Sequence, residues 1–170
     1  FISENVRKYF FRSNKTTNPT KHVLIPNGVD TEYFTPCERP EKLSIRKDLG
    51  LPSDKSVFLF VGRFVEKKGL ELLWELALSM NDVVWVFAGW GAIDPDEWGL
   101  DNVKVFVRPC KSVIAKLYKM SDLLVLPGTG EGFPLVVQEA MSSGLPVAVS
   151  AEIASAYSPA RELMVEVDME

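Results

Sequence analysis

Cysteine and histidine are scarce in this chain: two cysteines and one histidine among 170 residues. Cys37 and Cys110 lie far apart with no Cys-x-x-Cys spacing, which argues against the common zinc and dithiol redox motifs and leaves a reducing, cytoplasmic setting as the expectation. Basic charge is not in excess either. With 19 Lys and Arg against 23 Asp and Glu, the net charge of −4 lacks the footprint of a nucleic-acid binder. No apolar run approaches the ~18 residues of a membrane span, and the opening residues show no signal-peptide pattern. A dinucleotide fingerprint is missing as well, because Asp94 stands where the third glycine after Gly89 and Gly91 belongs; this disfavours a dehydrogenase.

What is present fits one α/β domain, since 46% hydrophobic and 25% charged residues are enough for a sizeable core. Residues 3 to 12 read as a short helix capped by Ser3. Arg7, Lys8, Arg12, Lys15 and Lys21 give this end a basic bias, to be weighed as a solvated face or as a peripheral contact with anionic lipid. Residues 25 to 40 form a turn-rich connection around Pro26, Asn27, Gly28 and Pro36. A helix over 41 to 49 closes at Gly50. Strands are expected at Val57 to Val61, Val83 to Ala88, Val103 to Val107, Leu123 to Leu126 and Leu145 to Ser150, with a sixth at Leu163 to Val167. A helix from Gly69 to Met80 places Leu70, Leu73, Trp74, Ala77 and Leu78 on one inward face, which makes Trp74 a core residue. Another over Ser112 to Met120 turns Val113, Leu117 and Met120 inward. Strands alternating with helices predict a parallel, Rossmann-like sheet with helices on both faces, whose ligands bind at the carboxyl ends of the strands.

One stretch carries the chemistry. After Leu123 to Leu126, the loop at Pro127 to Gly130 leads into a helix with Pro134 at its first position and Gly144 just past its end. Free N–H groups of Leu135 and Val136 at a helix start make an anion site. Glu131 and Glu139 flank that start with seven residues between them; carboxylates there suit sugar hydroxyls and would repel a phosphate. Arg63 and Lys68, expected where the first strand gives way to a helix, are the cations for the anion. Asp94-Pro95-Asp96 resembles a metal-binding Asp-x-Asp pair, but Asp94 before Pro95, with Glu97 following, reads better as a helix cap.

Three segments, Ile25 to Asp30, then Gly62-Arg63 with Glu66 to Gly69, then Glu131 to Val136 through Glu139, together resemble the C-terminal, nucleotide-sugar-binding domain of a GT-B-fold retaining glycosyltransferase of family 4, the group 1 type. The resemblance runs over about residues 22 to 150. It implies a metal-independent, cofactor-free transfer of a sugar from a nucleoside diphosphate sugar to an acceptor hydroxyl in polysaccharide or glycolipid synthesis. It also assigns roles. Arg63 and Lys68 hold the diphosphate, Glu131 faces the transferred sugar, and Glu139 accepts from the ribose; Gly62, Gly132, Phe133, Pro134, Leu135 and Val136 complete the donor site. Val107, Arg108 and Pro109 line the nucleotide base or form a plain loop. Asn27 and Gly28 serve a turn or touch a phosphate.

By the same resemblance, residues 1–22 are the tail of an N-terminal acceptor domain, 23–40 the interdomain linker, and 41–170 the donor domain, truncated at its C-terminus. The opening at Phe1 also suggests a fragment. Such a fragment is expected to bind donor without turnover, and the alternative is a non-catalytic nucleotide-binding module. One departure stands out: Ser150-Ala151-Glu152-Ile153 occupies the place where the family carries a glycine-rich turn after the fifth strand.

Overall fold

The computed structural model of the chain describes residues 2–14 and 22–167; Lys15 and Lys21 of the basic N-terminal cluster lie outside them. Helix α1 (Glu4–Ser13) begins at Ser3, whose hydroxyl accepts from the Val6 N–H at 3.3 Å. Helix α2 (Arg39–Asp48) follows the turn-rich connection. Six strands then form one sheet: β1 (Val57–Phe64), β2 (Val84–Gly91), β3 (Val103–Val107), β4 (Leu123–Leu126), β5 (Val147–Ser150) and β6 (Met164–Val167). Every pairing is parallel, in the order β3-β2-β1-β4-β5-β6. This is the doubly wound Rossmann-like arrangement, with its topological switch point between β1 and β4. The intervening helices are α3 (Leu70–Ser79), α4 (Lys111–Met120), α5 (Leu135–Ser142) and α6 (Ala151–Ala156). Right-handed crossovers put α3 on one face and α4, α5 and α6 on the other.

The strands are apolar runs because both of their faces are covered. Val57, Leu59, Phe60, Val86, Phe87, Leu124, Leu126 and Val149 are all buried. Strand β1 runs farther than its apolar run, through Gly62, Arg63 and Phe64, because β2 accompanies it as far as the Phe64↔Gly91 pair. The strands approach so closely there that a Cβ on Gly89 would lie 1.8 Å from the Gly62 carbonyl oxygen. Arg63 is therefore a strand residue and does not sit in the turn after the strand.

Helix α3 corrects the expected inward face. Leu70, Leu73 and Ala77 are buried, but Trp74 is 39% exposed and Leu78 54% exposed. At 100° per residue the three buried positions centre between Leu70 and Leu73; Trp74 falls at the flank of that stripe and Leu78 beyond it. Trp74 is not a core residue. In α4, Leu117 and Met120 are buried as expected, and Tyr118 is buried beside them.

Candidate functional site

The loops that leave β1 and β4 meet at the carboxyl side of the switch point. After β1 a short turn, Glu66–Lys68, ends at Gly69, whose φ of 76° is left-handed. A Cβ on Gly69 would come 2.8 Å from Pro127 in the loop after β4, and one on Gly128 would come 2.9 Å from the Lys68 Cα. The Thr129 N–H donates to the Lys67 carbonyl at 2.9 Å. This packing brings Lys68 Nζ to 2.6 Å from Glu131 Oε1, with only 12% and 14% of the two side chains exposed. The lysine and the glutamate to which the sequence assigns separate tasks are thus one ion pair.

The helix that follows starts one residue later than expected. Pro134 is its N-cap with ψ of 122°, and Leu135 is the first helical residue. Pro134 adopts this extended ψ instead of entering the helix, and its carbonyl accepts from the Val137 N–H at 3.2 Å. Among the described residues, the N–H groups of Leu135 and Val136 have no acceptor. Two tyrosines absent from the sequence assignment hold this segment. The Tyr157 ring stacks on Phe133 at 4.2 Å and its hydroxyl donates to the Pro134 carbonyl at 2.5 Å. Burial pushes this phenol above its ordinary value, so it remains a donor. Tyr118, on α4, donates to Glu139 Oε2 at 2.9 Å. Burial first, and then the neighbouring Glu139, raise the Tyr118 phenol, so the proton stays on the tyrosine and the carboxylate accepts. The signal for Tyr118 was its place on the buried side of an amphipathic helix, where a hydroxyl requires a partner.

The loop before the helix is tied down by the segment that departs from the family pattern. Ser150 donates to the Gly128 carbonyl at 2.8 Å, and both Glu152 oxygens accept from the Gly130 N–H at 3.1 Å. Gly132 is pressed against α1, where a Cβ would lie 2.6 Å from Val6. Val6, Tyr9, Glu131 and Glu152 then line a cleft of about 300 Å³.

A second cavity, about 490 Å³, opens over the ends of β1, β2 and β3. Arg63, Trp90, Arg108 and Pro109 line it above a floor that includes Val61 and Ala88. The structure therefore places Arg63 together with Arg108 and Pro109, and Lys68 together with Glu131. Val107 is 65% exposed and does not line this cavity. Among the described residues, Arg63 has no ion pair or side-chain hydrogen bond. Asp94 caps the 3-10 turn Pro95–Trp98, its Oδ1 accepting from the Asp96 N–H at 3.1 Å. Among the described residues, no group of three or more His, Cys, Asp or Glu side chains is placed to hold a metal ion, and no helix is long and apolar enough to cross a membrane.

A family model described as glycosyl transferases group 1 matches residues 41–162. The chain belongs to this family. Within it, the group 1 chain is 37% identical over 145 residues to the UDP-Gal:alpha-D-GlcNAc-diphosphoundecaprenol alpha-1,3-galactosyltransferase of Escherichia coli, a match that covers 78% of this chain and 37% of that protein. The crystal structure of Anabaena HepE in complex with UDP and glucose superposes with a TM-score of 0.74 at 22% identity, over 88% of this chain and 43% of that one. The C-terminal domain of a glycosyl transferase group 1 family protein from Francisella tularensis gives 0.61 at 25% identity, over 76% and 73% of the two chains. The group 1 chain spans about a third of the length of the curated relatives it matches.

Proposed function

We propose that this chain is the donor-binding, C-terminal half of a retaining GT-B glycosyltransferase of family 4, which moves a sugar from a nucleoside diphosphate to an acceptor hydroxyl without a metal. The observation that carries the proposal is the Lys68–Glu131 pair at the meeting of the loops after β1 and β4. An ammonium has three donors, so Lys68 keeps its bond to Glu131 while giving another N–H to a phosphate. The repulsion between a carboxylate and a diphosphate is thereby bridged by a cation that both share. Arg63, with no competing carboxylate, supplies a planar fork to the same diphosphate.

In this scheme the nucleotide occupies the 490 Å³ cavity and the sugar extends past Lys68 toward the 300 Å³ cleft. Glu131 orients the sugar and Glu139, steadied by Tyr118, accepts from the ribose hydroxyls. Negative charge grows on the departing diphosphate. Losing one donor that meets such charge commonly costs ~3 to 4 kcal/mol in the transition state. The start of α5 adds ~0.3 to 1 kcal/mol, so the side-chain cations dominate. The name of the E. coli relative, with its UDP-galactose donor, and the UDP held by the HepE structure support a uridine nucleotide. Acceptor contacts belong, in this proposal, to a further domain, with residues 1–22 as its tail and 23–40 as the crossing between the two. The chain alone then binds donor without turnover.

Calorimetric titration of the chain with UDP in EDTA tests this. Binding is expected without metal, weakened at least about tenfold by Arg63→Ala and by Glu139→Ala. A folded chain that takes up no nucleoside diphosphate, or takes it up only with added manganese, would sink the proposal.

A further inference from the structure

Within the 490 Å³ cavity, the diphosphate of the scheme above engages Arg63, and the other guanidinium is Arg108, one of the three residues that the resemblance sets at the nucleotide base or in a plain loop. Four observations single Arg108 out. Its backbone has φ of 47°, and among the described residues it is the one non-glycine with a positive φ. A residue before proline is normally driven toward extended conformations, so this geometry is held against its preference. What holds it is the Arg108 N–H donating to the Gly89 carbonyl at 2.8 Å, at the end of β2. Third, the guanidinium lies 4.8 Å from the centre of the Trp90 ring, and Trp90 also lines the cavity. Finally, among the described residues the Arg108 side chain has no hydrogen bond or ion pair, and no carboxylate lines the cavity.

These facts combine through the shape of the guanidinium. A cation–π contact engages the charge of the group and takes up no oxygen or nitrogen acceptor, so its five in-plane N–H donors remain available to a ligand. Trp90 therefore holds the Arg108 guanidinium at the rim of a cavity that no carboxylate lines, and among the described residues its donors meet no side-chain or backbone acceptor. The missing partner must bring acceptors. A nucleobase with a carbonyl at the ring position it presents, as in uracil O4 or guanine O6, meets that need; cytosine and adenine carry an amino group there, which would set donor against donor.

We propose that Arg108, oriented by Trp90, is the residue that selects the donor base, accepting keto bases and rejecting amino bases. This rests on the donor-site proposal above. Uracil and cytosine have nearly the same shape, so the UDP and CDP pair isolates the one exchanged group, while GDP and ADP test the larger ring. The strained backbone guides the choice of variant: Arg108→Gly removes the guanidinium at a position where glycine is at ease. Arg108→Lys keeps the charge and removes the plane.

The experiment is calorimetric titration of the chain and both variants with UDP, CDP, GDP and ADP, with circular dichroism to show that each is folded. The native chain is expected to prefer UDP over CDP, and GDP over ADP where a purine enters, by at least about tenfold. Arg108→Gly is expected to bring each pair within about twofold, and Arg108→Lys to retain overall affinity while losing most of the preference. Arg63→Ala is the contrast, weakening all four ligands by a common factor. Equal binding of UDP and CDP by the native chain overturns the inference, as does a preference that survives Arg108→Gly. A uniform loss of all four ligands in Arg108→Gly also overturns it, because it makes Arg108 a phosphate contact. In each of these cases the donor-site proposal stands, whereas a native chain that binds none of the four removes both.

Discussion

Glu139 is held by a phenol that has no other use for its proton. Tyr118 is 1% exposed and, among the described residues, its hydroxyl reaches only the Glu139 carboxylate. Such a pair is worth keeping if the carboxylate must stay in one orientation. Tyr118→Phe preserves the ring and removes the donor, so it leaves a partly buried carboxylate oxygen unpaired, at a cost of about 1 to 3 kcal/mol in a urea unfolding experiment. Donor binding separates positioning from plain stability: UDP affinity is expected to fall roughly fivefold, the equivalent of ~1 kcal/mol, while pyrophosphate, which has no ribose, binds as before. Equal losses for both ligands would show that Tyr118 supports the fold alone. The four charged residues are named from sequence because each lies within a few residues of a strand end or a helix start in its own segment. Tyr118 and Tyr157 act across 21 and 23 residues, distances at which local pattern is silent.

At the scale of elements, the apolar runs were readable because a strand covered on both faces needs no alternation. Their ends were not. Gly62 looks like a terminator of β1, but it pairs with Gly89 of β2, and only the partner strand explains why the ladder continues to Phe64. Helix α6 is not legible for a different reason: it is one short stretch capped by Ser150, whose hydroxyl accepts from the Ile153 N–H at 3.4 Å. The inward face of α3 is narrower than its apolar spacing suggests, since a row of apolar residues at helical spacing does not say how broad a stripe the sheet covers. Leu73 is fully buried and Leu78 more than half exposed. Leu73→Ala is therefore expected to cost ~2 to 5 kcal/mol, and Leu78→Gln to change stability by no more than about 0.5 kcal/mol. Thermal or urea unfolding of the two variants checks this, and comparable losses would mean that the wider face is packed after all.

Across the whole molecule, the site exists because the sheet is open at one end of its switch point and locked at the other. β1 and β4 are in register only through Phe58↔Leu123 and Leu59↔Leu124, whereas β1 and β2 stay paired from Val57↔Val84 to Phe64↔Gly91. The carboxyl ends of β1 and β4 are thus free to house the Lys68 and Glu131 loops. The amino ends are clamped by α2. Arg46, 4% exposed, donates to the Met120 carbonyl at 2.8 Å, to the Lys55 carbonyl at 3.1 Å and to Asp122 at 2.6 Å. Asp122 also accepts from the Val57 N–H at 2.8 Å and pairs with Lys42 at 2.6 Å. Burial pushes the Asp122 carboxyl up, but Lys42, the Val57 N–H and Arg46 together outweigh it and hold the group below its ordinary value of 3.8. A carboxyl depressed by folding contributes fully above its unfolded value and loses that contribution as pH falls through the folded one. The clamp should then fail only in acid, below about pH 4. Asp122→Asn is expected to be less stable than the native chain at pH 7, with the gap narrowing as the pH is lowered toward 2, measured by urea unfolding at each pH. A gap that stays constant or widens in acid would place the acid sensitivity of the fold in other carboxylates and leave the α2 clamp as a purely steric brace.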